Sequence, residues 1–565
     1  GGNGGNGGNG GNGASIMLNA STVIADTIML VSGNNTTNGN NGANGINGTN
    51  GQGGTQCVIP PYYICTPLDN GGTGGTGGTS GVGGDAGSAG NTSFIADHLR
   101  TKNITLVRET GDFNFDIGTM YVKANDTMFL KNINSGYFNI DVLLFDLTGV
   151  ASGSTMLSIN GSSSSVNLLN TDITLAVDKS NPLLEAGYSI DLINVVSNAS
   201  SFSIFGNTSL HGTTLQARQG VSIIYDFEVN QTNKTLTATT IDGARLNPKT
   251  KTLGEGFVGG FVTVKEGQDL IADMSINNIA YIAQTASDIA PFVIGSKGSS
   301  KYDTGSFVDV DSIHLIAGLA FNTDLDDLYG QSLTTGAFFE AGESSYETDN
   351  ELDTAASVKS RGDVKYYGLG ALARFAFSPS EIGRLYFDAA IRGGRAKNSF
   401  ISDDLTDNFG VKAEYDIKGL YYGAHAGVGY IFNLTDNSHL ELYGKYLYLH
   451  QDGDSYTLST SDEVKFGDIN SQRVKGGFNL FYTINEYFTP YIGVAYEHEF
   501  DGKSKGSIYG FELESPDLKG ESYIGELDLA ITPSRDSSFF IDLNVKGYIG
   551  KREGISGSLK MEYGF

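Results

Sequence analysis

The feature that most restricts the fold of this chain is a regular alternation of side-chain character along residues 289–565. In the last segment, every second residue from Ile555 to Phe565 is apolar or glycine, and the residues between them are polar or glycine. Segments around 384–392, 473–480 and 541–546 repeat this pattern. A period of two indicates a β-strand whose two faces meet different surroundings. The region therefore predicts a series of about twelve strands, an even number as in bacterial membrane barrels.

Two-faced strands occur in soluble sandwiches and in membrane barrels, and two details favour the barrel. The polar face carries Lys, Arg, Asp and Glu from many strands, as a water-filled or plugged lumen requires. The apolar face is rich in Tyr and Phe near the strand ends, where the aromatic girdles of a barrel lie. We therefore expect residues 289–565 to form a 12-stranded antiparallel transmembrane β-barrel, in which closure leaves no strand edge unpaired.

Strand parity also predicts which charged side chains face the lumen of this barrel. The six selected in this way are Arg392, Lys445, Arg473, Lys475, Glu526 and Asp528. One interpretation is that they bind Glu255, Lys265 or Glu266 of a preceding helix. The other is that they only hydrate the lumen, since exposed ion pairs contribute roughly 0–1 kcal/mol.

Residues 251–288 interrupt the strand pattern with the one predicted helix of the chain. Apolar side chains recur there at helical spacing, at Leu253, Phe257, Phe261, Val264 and Ile271. The same stretch contains several glycines, each of which costs about 1 kcal/mol relative to alanine in a helix. A helix that passes through a narrow space would need such small residues. We therefore interpret 251–288 as a linker with a pore helix.

The first 94 residues are dominated by glycine repeats. Residues 1–13 are Gly-Gly-Asn triplets, 71–79 are Gly-Gly-Thr triplets, and 33–54 are rich in Asn and Gly. Collagen also has glycine at every third position, but its repeats contain about 15–20 % proline, and these triplets contain none. We interpret residues 1–94 as a Gly/Asn/Thr-rich low-complexity arm. A stacked glycine-rich surface module is the alternative.

The only two cysteines, Cys57 and Cys65, flank a Pro-Pro pair inside this arm. A disulfide that closes a small loop is predicted if the compartment is oxidising. Neither a histidine nor a further cysteine lies nearby in the sequence, which argues against a metal site.

Residues 95–250 contain short apolar segments separated by Asn, Gly, Ser and Asp, as at 113–117, 142–147 and 188–193. Many short strands with turn residues between them predict an all-β region. Their spacing favours a β-solenoid. No regular repeat length is visible, so a β-sandwich stays open.

Charge and motifs exclude several classes of function. The chain carries 63 acidic and 36 basic residues, a net charge of -27. That balance argues against a nucleic acid as partner, since binding would depend on cations that neutralise phosphates. His98 and His211 lie in no recognisable nucleophile motif, and aspartates such as Asp452 and Asp454 lack the ligand spacing of a calcium loop. We therefore assign no catalytic residue, no metal ligand and no cofactor.

Several stretches between about 250 and 565 together resemble the classical autotransporters of Gram-negative bacteria, the monomeric type V secretion proteins. Residues 253–273 are similar to the pore helix of that family and 299–311 to its first hairpin. The middle and the end of the barrel are similar at 443–446, 450–455, 464–466, 499–503, 518–520 and 547–554, and at the terminal phenylalanine. Each motif alone is weak, and their specificity lies in the combination.

This resemblance implies a barrel in the outer membrane, a helix in its lumen and an N-terminal passenger at the cell surface. The last strand then resembles the signal that the barrel-assembly machinery reads, at Leu559, Met561, Tyr563 and Phe565. Some members cleave themselves at an Asn-Asn pair within the pore helix. Asn277 and Asn278 lie beyond the best helical stretch of this chain, so we expect no self-cleavage.

The expected function is therefore secretion, in which the chain exports and displays its own passenger as an adhesin or surface-interaction module. The expected partners are outer-membrane lipid, the barrel-assembly machinery and a ligand on a host or neighbouring cell. No enzyme activity is expected. Two alternatives stay open, a passenger that is a secreted hydrolase and a barrel that acts as a solute pore.

Overall fold

The computed structural model describes four parts of the N-terminal half of the chain and most of the C-terminal half. The described residues are 15–32, 55–58, 64–67, 91–273 (without 110, 134–135, 162–167, 169–170 and 197–209) and 289–563 (without 327–330, 353–354, 409, 486 and 534–538). They belong to two compact units, Gly1–Arg245 and Leu246–Phe565. In the described part of the chain, no helix is both long enough and apolar enough to cross a membrane.

The first unit is built from short strands. Their bounds are β1 Ile16–Val31, β2 Thr55–Val58, β3 Ile64–Pro67, β4 Thr92–Val107, β5 Phe113–Val122, β6 Asp126–Lys131, β7 Phe138–Asp146, β8 Thr155–Gly161, β9 Asp172–Val177, β10 Ser189–Val195, β11 Thr214–Gln219, β12 Ile223–Gln231 and β13 Thr235–Thr240, followed by the two-residue strand β14 Arg245–Leu246. β1, β4, β5, β7, β9 and β11 pair in parallel, and so do β4, β6, β8 and β10. The antiparallel strands β12 and β13 join the two series.

This pairing is that of a β-solenoid, as predicted, and not of a sandwich. The long strand β4 pairs with β5 through its first half and with β6 through its second half, so that one coil stacks on the next. Phe94, Phe115 and Phe138 stack inside the coils, with ring centroids 5.6 and 5.4 Å apart. No regular repeat length is visible in the sequence because successive coils contain different numbers of residues. Thr92 lies opposite Phe113, whereas Val142 lies opposite Asp172.

The stretch 1–94 contains a solenoid strand in addition to its glycine repeats. β1 pairs with β4 from Ile16, opposite Thr92, to Val31, opposite Val107. The residues between β1 and β4 therefore form an insertion between two adjacent strands. The sequence alone does not distinguish β1 from the arm, because glycine repeats flank this apolar segment on both sides.

The β2–β3 hairpin within this insertion carries both cysteines. Its backbone register places Cys57 directly opposite Cys65. The side chains of both residues lie outside the described part, and the disulfide stays a prediction.

The second unit contains the predicted barrel. Its strands are β15 Ile289–Asp303, β16 Phe307–Asp326, β17 Gln331–Leu352, β18 Ala355–Ala376, β19 Gly383–Thr406, β20 Lys412–Thr435, β21 Ser438–Gln451, β22 Ser455–Thr457, β23 Glu463–Phe466, β24 Ile469–Tyr482, β25 Phe488–Glu499, β26 Gly506–Ile508, β27 Phe511–Glu512, β28 Gly520–Ile531, β29 Phe539–Gly550 and β30 Arg552–Tyr563. Twelve of them form a closed barrel, in which β30 pairs with β15. The prediction of an all-β chain with a 12-stranded barrel is confirmed.

The remaining four strands of this unit, β22, β23, β26 and β27, form a small separate sheet. They lie in the connections β21–β24 and β25–β28, which are long. The connections at the other ends of these strands are short, as between Thr435 and Ser438. The barrel therefore has one end with short turns and one end at which two connections are long and structured.

Side-chain exposure follows the predicted parity along the barrel strands. On β24, Arg473 and Lys475 are buried, whereas Val474 and Phe478 are 43 % and 45 % exposed. On β19, Asp388 and Arg392 are buried and Ile391 is exposed. Polar side chains thus face inward and apolar side chains face outward, which is the reverse of a water-soluble barrel.

Candidate functional site

The inside of the barrel is occupied by a helix, α1, which spans Lys251–Asp273. A short 3₁₀ turn, Pro248–Thr250, precedes it, and the side chain of Asn247 caps this turn by accepting a hydrogen bond from the Lys249 amide at 3.1 Å. Every residue from Lys251 to Ala272 is buried. The charged residues of the helix are therefore enclosed together with its apolar stripe, because the surrounding wall is polar.

The N-terminal half of α1 packs against aromatic and amide side chains of the barrel wall and of the small separate sheet. The ring of Phe257 stacks on Phe466 of β23, with centroids 4.6 Å apart. The hydroxyl of Tyr415 donates to the Leu253 carbonyl oxygen at 3.0 Å. The amide of Asn398 donates to the Gly256 carbonyl oxygen at 2.8 Å. The start of the helix thus lies at the barrel end that carries the long connections.

The glycines of α1 lie where the wall comes closest. A Cβ atom on Gly256 would lie 2.3 Å from the ring of Phe400, and one on Gly267 would lie 2.1 Å from the Tyr366 hydroxyl. On Gly259 and Gly260 it would lie 2.8 and 2.5 Å from wall side chains. These distances are shorter than van der Waals contact. The cost of glycine in the helix is therefore offset by the fit of the helix within the barrel.

The carboxylate of Glu266 is bound from three strands. Arg552 Nη2 and the Tyr302 hydroxyl each donate to Oε1 at 2.9 Å, and the Ser312 hydroxyl donates to Oε2 at 2.6 Å. The His314 Nε2 atom lies 3.6 Å from Oε2. A buried carboxylate needs such partners, since removing a charge from water without them is costly.

One turn further along the helix, Arg473 is the central cation. Its side chain is fully buried and donates to Asp269 and, at 3.0 Å, to the Gln268 amide oxygen. Glu497 on the neighbouring strand lies 3.2 Å from the same guanidinium group. Arg552 Nη1 also donates to Asp269, at 3.1 Å. Two arginines from different strands thus bind one helix carboxylate.

The C-terminal end of α1 is surrounded by lysines. Lys475 and Lys546 donate to the two carboxylate oxygens of Asp273 at 2.6 and 2.9 Å. Lys445 donates to the Ala272 carbonyl oxygen. Cations at this end of a helix stabilise its dipole and bind its unpaired carbonyl groups.

The six lumen residues predicted by parity fall into two groups. Arg392, Lys445, Arg473 and Lys475 contact the helix, and Arg392 does so by donating to the Val264 carbonyl oxygen at 2.9 Å. The other two bind neighbouring strands. Glu526 lies 3.2 Å from Lys546, and Asp528 accepts a hydrogen bond from Asn544 at 2.9 Å.

The groups of α1 that these four lumen residues bind differ from the helix partners that the sequence suggested. The four residues bind Val264, Gln268, Asp269, Ala272 and Asp273 and not Glu255, Lys265 or Glu266. The partner of Glu266 is Arg552, which the sequence analysis missed although it has the inward parity of Lys560 and Glu562. Lys265 pairs with Glu499 at 3.3 Å.

The other predicted positions are placed as follows. Leu559, Met561 and Tyr563 are exposed on the outer face of β30, between 39 % and 45 %, whereas Phe565 lies outside the described residues. Asn277 and Asn278 also lie outside them.

Comparisons with known proteins find one matching family model and several similar solved structures. Residues 292–544 match the family model described as the autotransporter beta-domain. No curated protein matches the chain. Among solved structures, the transport unit of the autotransporter AIDA-I from Escherichia coli is similar, with 15 % identity over 55 % of this chain and 99 % of that one and a TM-score of 0.43.

Two further translocators are similar. The beta domain of the Bordetella autotransporter Brka has 14 % identity over 49 % of this chain and all of that one, with a TM-score of 0.38. The translocator domain of NalP from Neisseria meningitidis has 13 % identity over 53 % of this chain and 98 % of that one, with a TM-score of 0.37. The family match coincides with the closed barrel around α1. Residues 292–544 are therefore an autotransporter β-domain, which forms most of the closed barrel around α1.

Proposed function

We propose that this chain exports its own N-terminal region through the outer membrane and displays it at the cell surface. The observation that carries the proposal is α1, which is bound along its length inside the barrel and is continuous with the preceding residues. A chain segment held in the lumen is what remains when the residues before it have passed through. The helix starts at the end with the long connections, which in outer-membrane barrels is the extracellular end.

Folding outside the cell supplies a driving force that needs no nucleotide. The coils of a solenoid add to one another one by one, and each coil is stabilised by its neighbour. The antiparallel strands β12 and β13 join both parallel series of the sheet, and only the two-residue strand β14 lies between them and the helix among the described strands. They emerge first in a hairpin mode of export, so they give the following coils an edge on which to fold. A folded coil cannot slip back through the barrel.

The displayed region acts by binding and not by catalysis. Parallel coils present rows of side chains at regular spacing, which suits contact with an extended surface on another cell. The ligand is a molecule on a host or neighbouring cell.

The export proposal is tested by the topology of the chain in intact cells. A signal peptide and an epitope tag are placed before Gly1, and a second tag is inserted in the short turn at 436–437. Protease added to intact Gram-negative cells is expected to remove the first tag and to leave the second tag and a heat-modifiable barrel. If the first tag is protected while the barrel is in the outer membrane, the proposal is wrong.

The proposed assembly signal gives a separate prediction. Met561→Ser with Tyr563→Ser is expected to reduce severalfold the amount of folded barrel in cells, because the assembly machinery reads the outward face of β30. The same variant should refold in detergent like the wild type, since both side chains point outward. The control is Ile549→Ser on β29, a side chain that is 71 % exposed. Equal loss in both variants would mean that only lipid contact matters.

A further inference from the structure

The outer face of β18, β19 and β20 carries its charges in layers. Along β18 the outward residues that follow Lys359 and Arg361 are Asp363, Lys365, Tyr367 and Leu369, in that order from the long-connection end. β20 repeats the order with Asp416, Lys418, Leu420 and Tyr422, and β19 with Ser399, Lys397, Arg395 and Ile391. On each strand, basic residues therefore stand between the apolar belt and the more distant polar residues. We call Lys365, Arg395, Lys397 and Lys418 the basic layer.

The lysines of the basic layer are in direct register. Lys365 lies opposite Lys397, and Lys397 lies opposite Lys418. Like charges directly opposite each other destabilise a sheet. Three in a row across adjacent strands are unexpected in a chain of net charge -27, which has few cations to place.

The acidic neighbours compensate this row only in part. Lys365 lies 3.7 Å from Glu343, and Lys397 lies 3.3 Å from Asp416, and all four side chains are at least half exposed. Exposed pairs of this kind contribute little. Among the described residues, neither Arg395 nor Lys418 has a carboxylate partner. The basic layer therefore keeps a local positive charge.

We propose that the basic layer binds the phosphate groups of a phosphorylated glycolipid in the outer leaflet of the membrane. Its side chains stand directly beside the outermost residues of the apolar belt, Tyr367, Leu420 and Tyr422, which are 50–58 % exposed. That is the depth at which lipid headgroups meet a barrel. A phosphate placed between the lysines removes their mutual repulsion, while acyl chains lie along the belt below. The assignment to the outer leaflet rests on the proposed orientation of the barrel.

The test measures lipid binding to the purified full chain in detergent. The probe is lipid A with both phosphates, at low salt, followed by native mass spectrometry. Lys365→Gln, Lys397→Gln and Lys418→Gln together are expected to weaken binding roughly a hundredfold, since each basic residue near anionic lipid contributes about fivefold. The matched control removes three other exposed cations of the same strands, Lys359, Arg361 and Lys412, and should bind like the wild type. Lipid binding in detergent does not depend on the orientation of the barrel in the membrane, so a failed export test would not change the expected result of this one.

Four results would overturn the proposal. They are equal binding by the triple variant and the wild type, equal loss in the control variant, equal binding of lipid A without phosphates, and displacement of the lipid by millimolar inorganic phosphate. Heat-modifiability of each variant shows that its barrel is folded. If the triple variant does not fold, Lys418→Gln alone is compared with Lys412→Gln, and a severalfold difference is expected.

Discussion

Gly267→Val is expected to prevent α1 from taking its place in the barrel. The first carbon of a side chain at this position would lie 2.1 Å from the Tyr366 hydroxyl and 3.3 Å from Arg392 Nη2. The Tyr366 hydroxyl is itself hydrogen-bonded to His314 at 2.9 Å, and all three wall residues are buried. The wall therefore has no room to move outward, since its side chains are held by one another.

The expected cost is at least the 1–3 kcal/mol or so that overpacking causes in a well-packed core. It should appear as a lower temperature for the loss of the compact barrel band on gels. It should also appear as an increased conductance in planar bilayers, because a helix that does not fit leaves the lumen partly open. In cells, fewer N-terminal tags should reach the surface.

The control for this variant is Gly254→Ala. A Cβ atom there would meet Pro516 at 3.0 Å and, at ordinary contact distance, the Glu514 carbonyl oxygen at 3.6 Å, both in a connection outside the barrel strands. Alanine favours a helix by about 1 kcal/mol over glycine, so a small shift of Pro516 leaves the variant near wild-type stability. If both variants behave alike, close packing does not explain the glycines.

The period of two along the barrel strands predicts the wall of the site, because parity has only two outcomes. A residue faces the lumen or the lipid, and Arg392, Arg473 and Lys475 are buried as parity requires. Parity does not predict contacts within the lumen. Those depend on the shear of the barrel and on the rotation of the helix, which are collective properties of all strands. Glu526 and Asp528 share the inward parity and yet bind their neighbouring strands.

The solenoid shows a second limit on what can be predicted from the sequence. A repeat is recognised by constant spacing, but here stacking depends on strand pairing and tolerates coils of different length. The pairing of β1 with β4 is invisible for the same reason, since glycine-rich residues and a hairpin lie between the two strands. Long insertions cost little in loop entropy, so the sheet forms across them.

The basic residues that bind α1 give the second large expected effect. Arg473→Leu leaves Asp269, Glu497 and Glu499 close together in the lumen. Lys265 at 3.3 Å from Glu499, Arg552 at 3.1 Å from Asp269 and the nearby Lys475 then compensate these three carboxylates only in part. Removing one partner of a buried ion pair costs about 3–5 kcal/mol. We expect an unfolding temperature well below that of the wild type and a lumen that conducts ions, because the repulsion acts on the helix itself.

Arg374→Leu separates the effect on the unfolding temperature from the effect on the conductance. Arg374 is also a buried arginine of the wall, but its guanidinium stacks on the ring of Tyr386 at 3.7 Å, and in the described part of the chain it makes no hydrogen bond or ion pair with α1. Its loss should lower the unfolding temperature without changing the conductance. Adding Asp269→Asn to Arg473→Leu should restore part of the lost stability, as expected for two residues that interact directly. An additive loss in this double variant, or equal conductance after either arginine substitution, would show that packing alone holds the helix in the barrel.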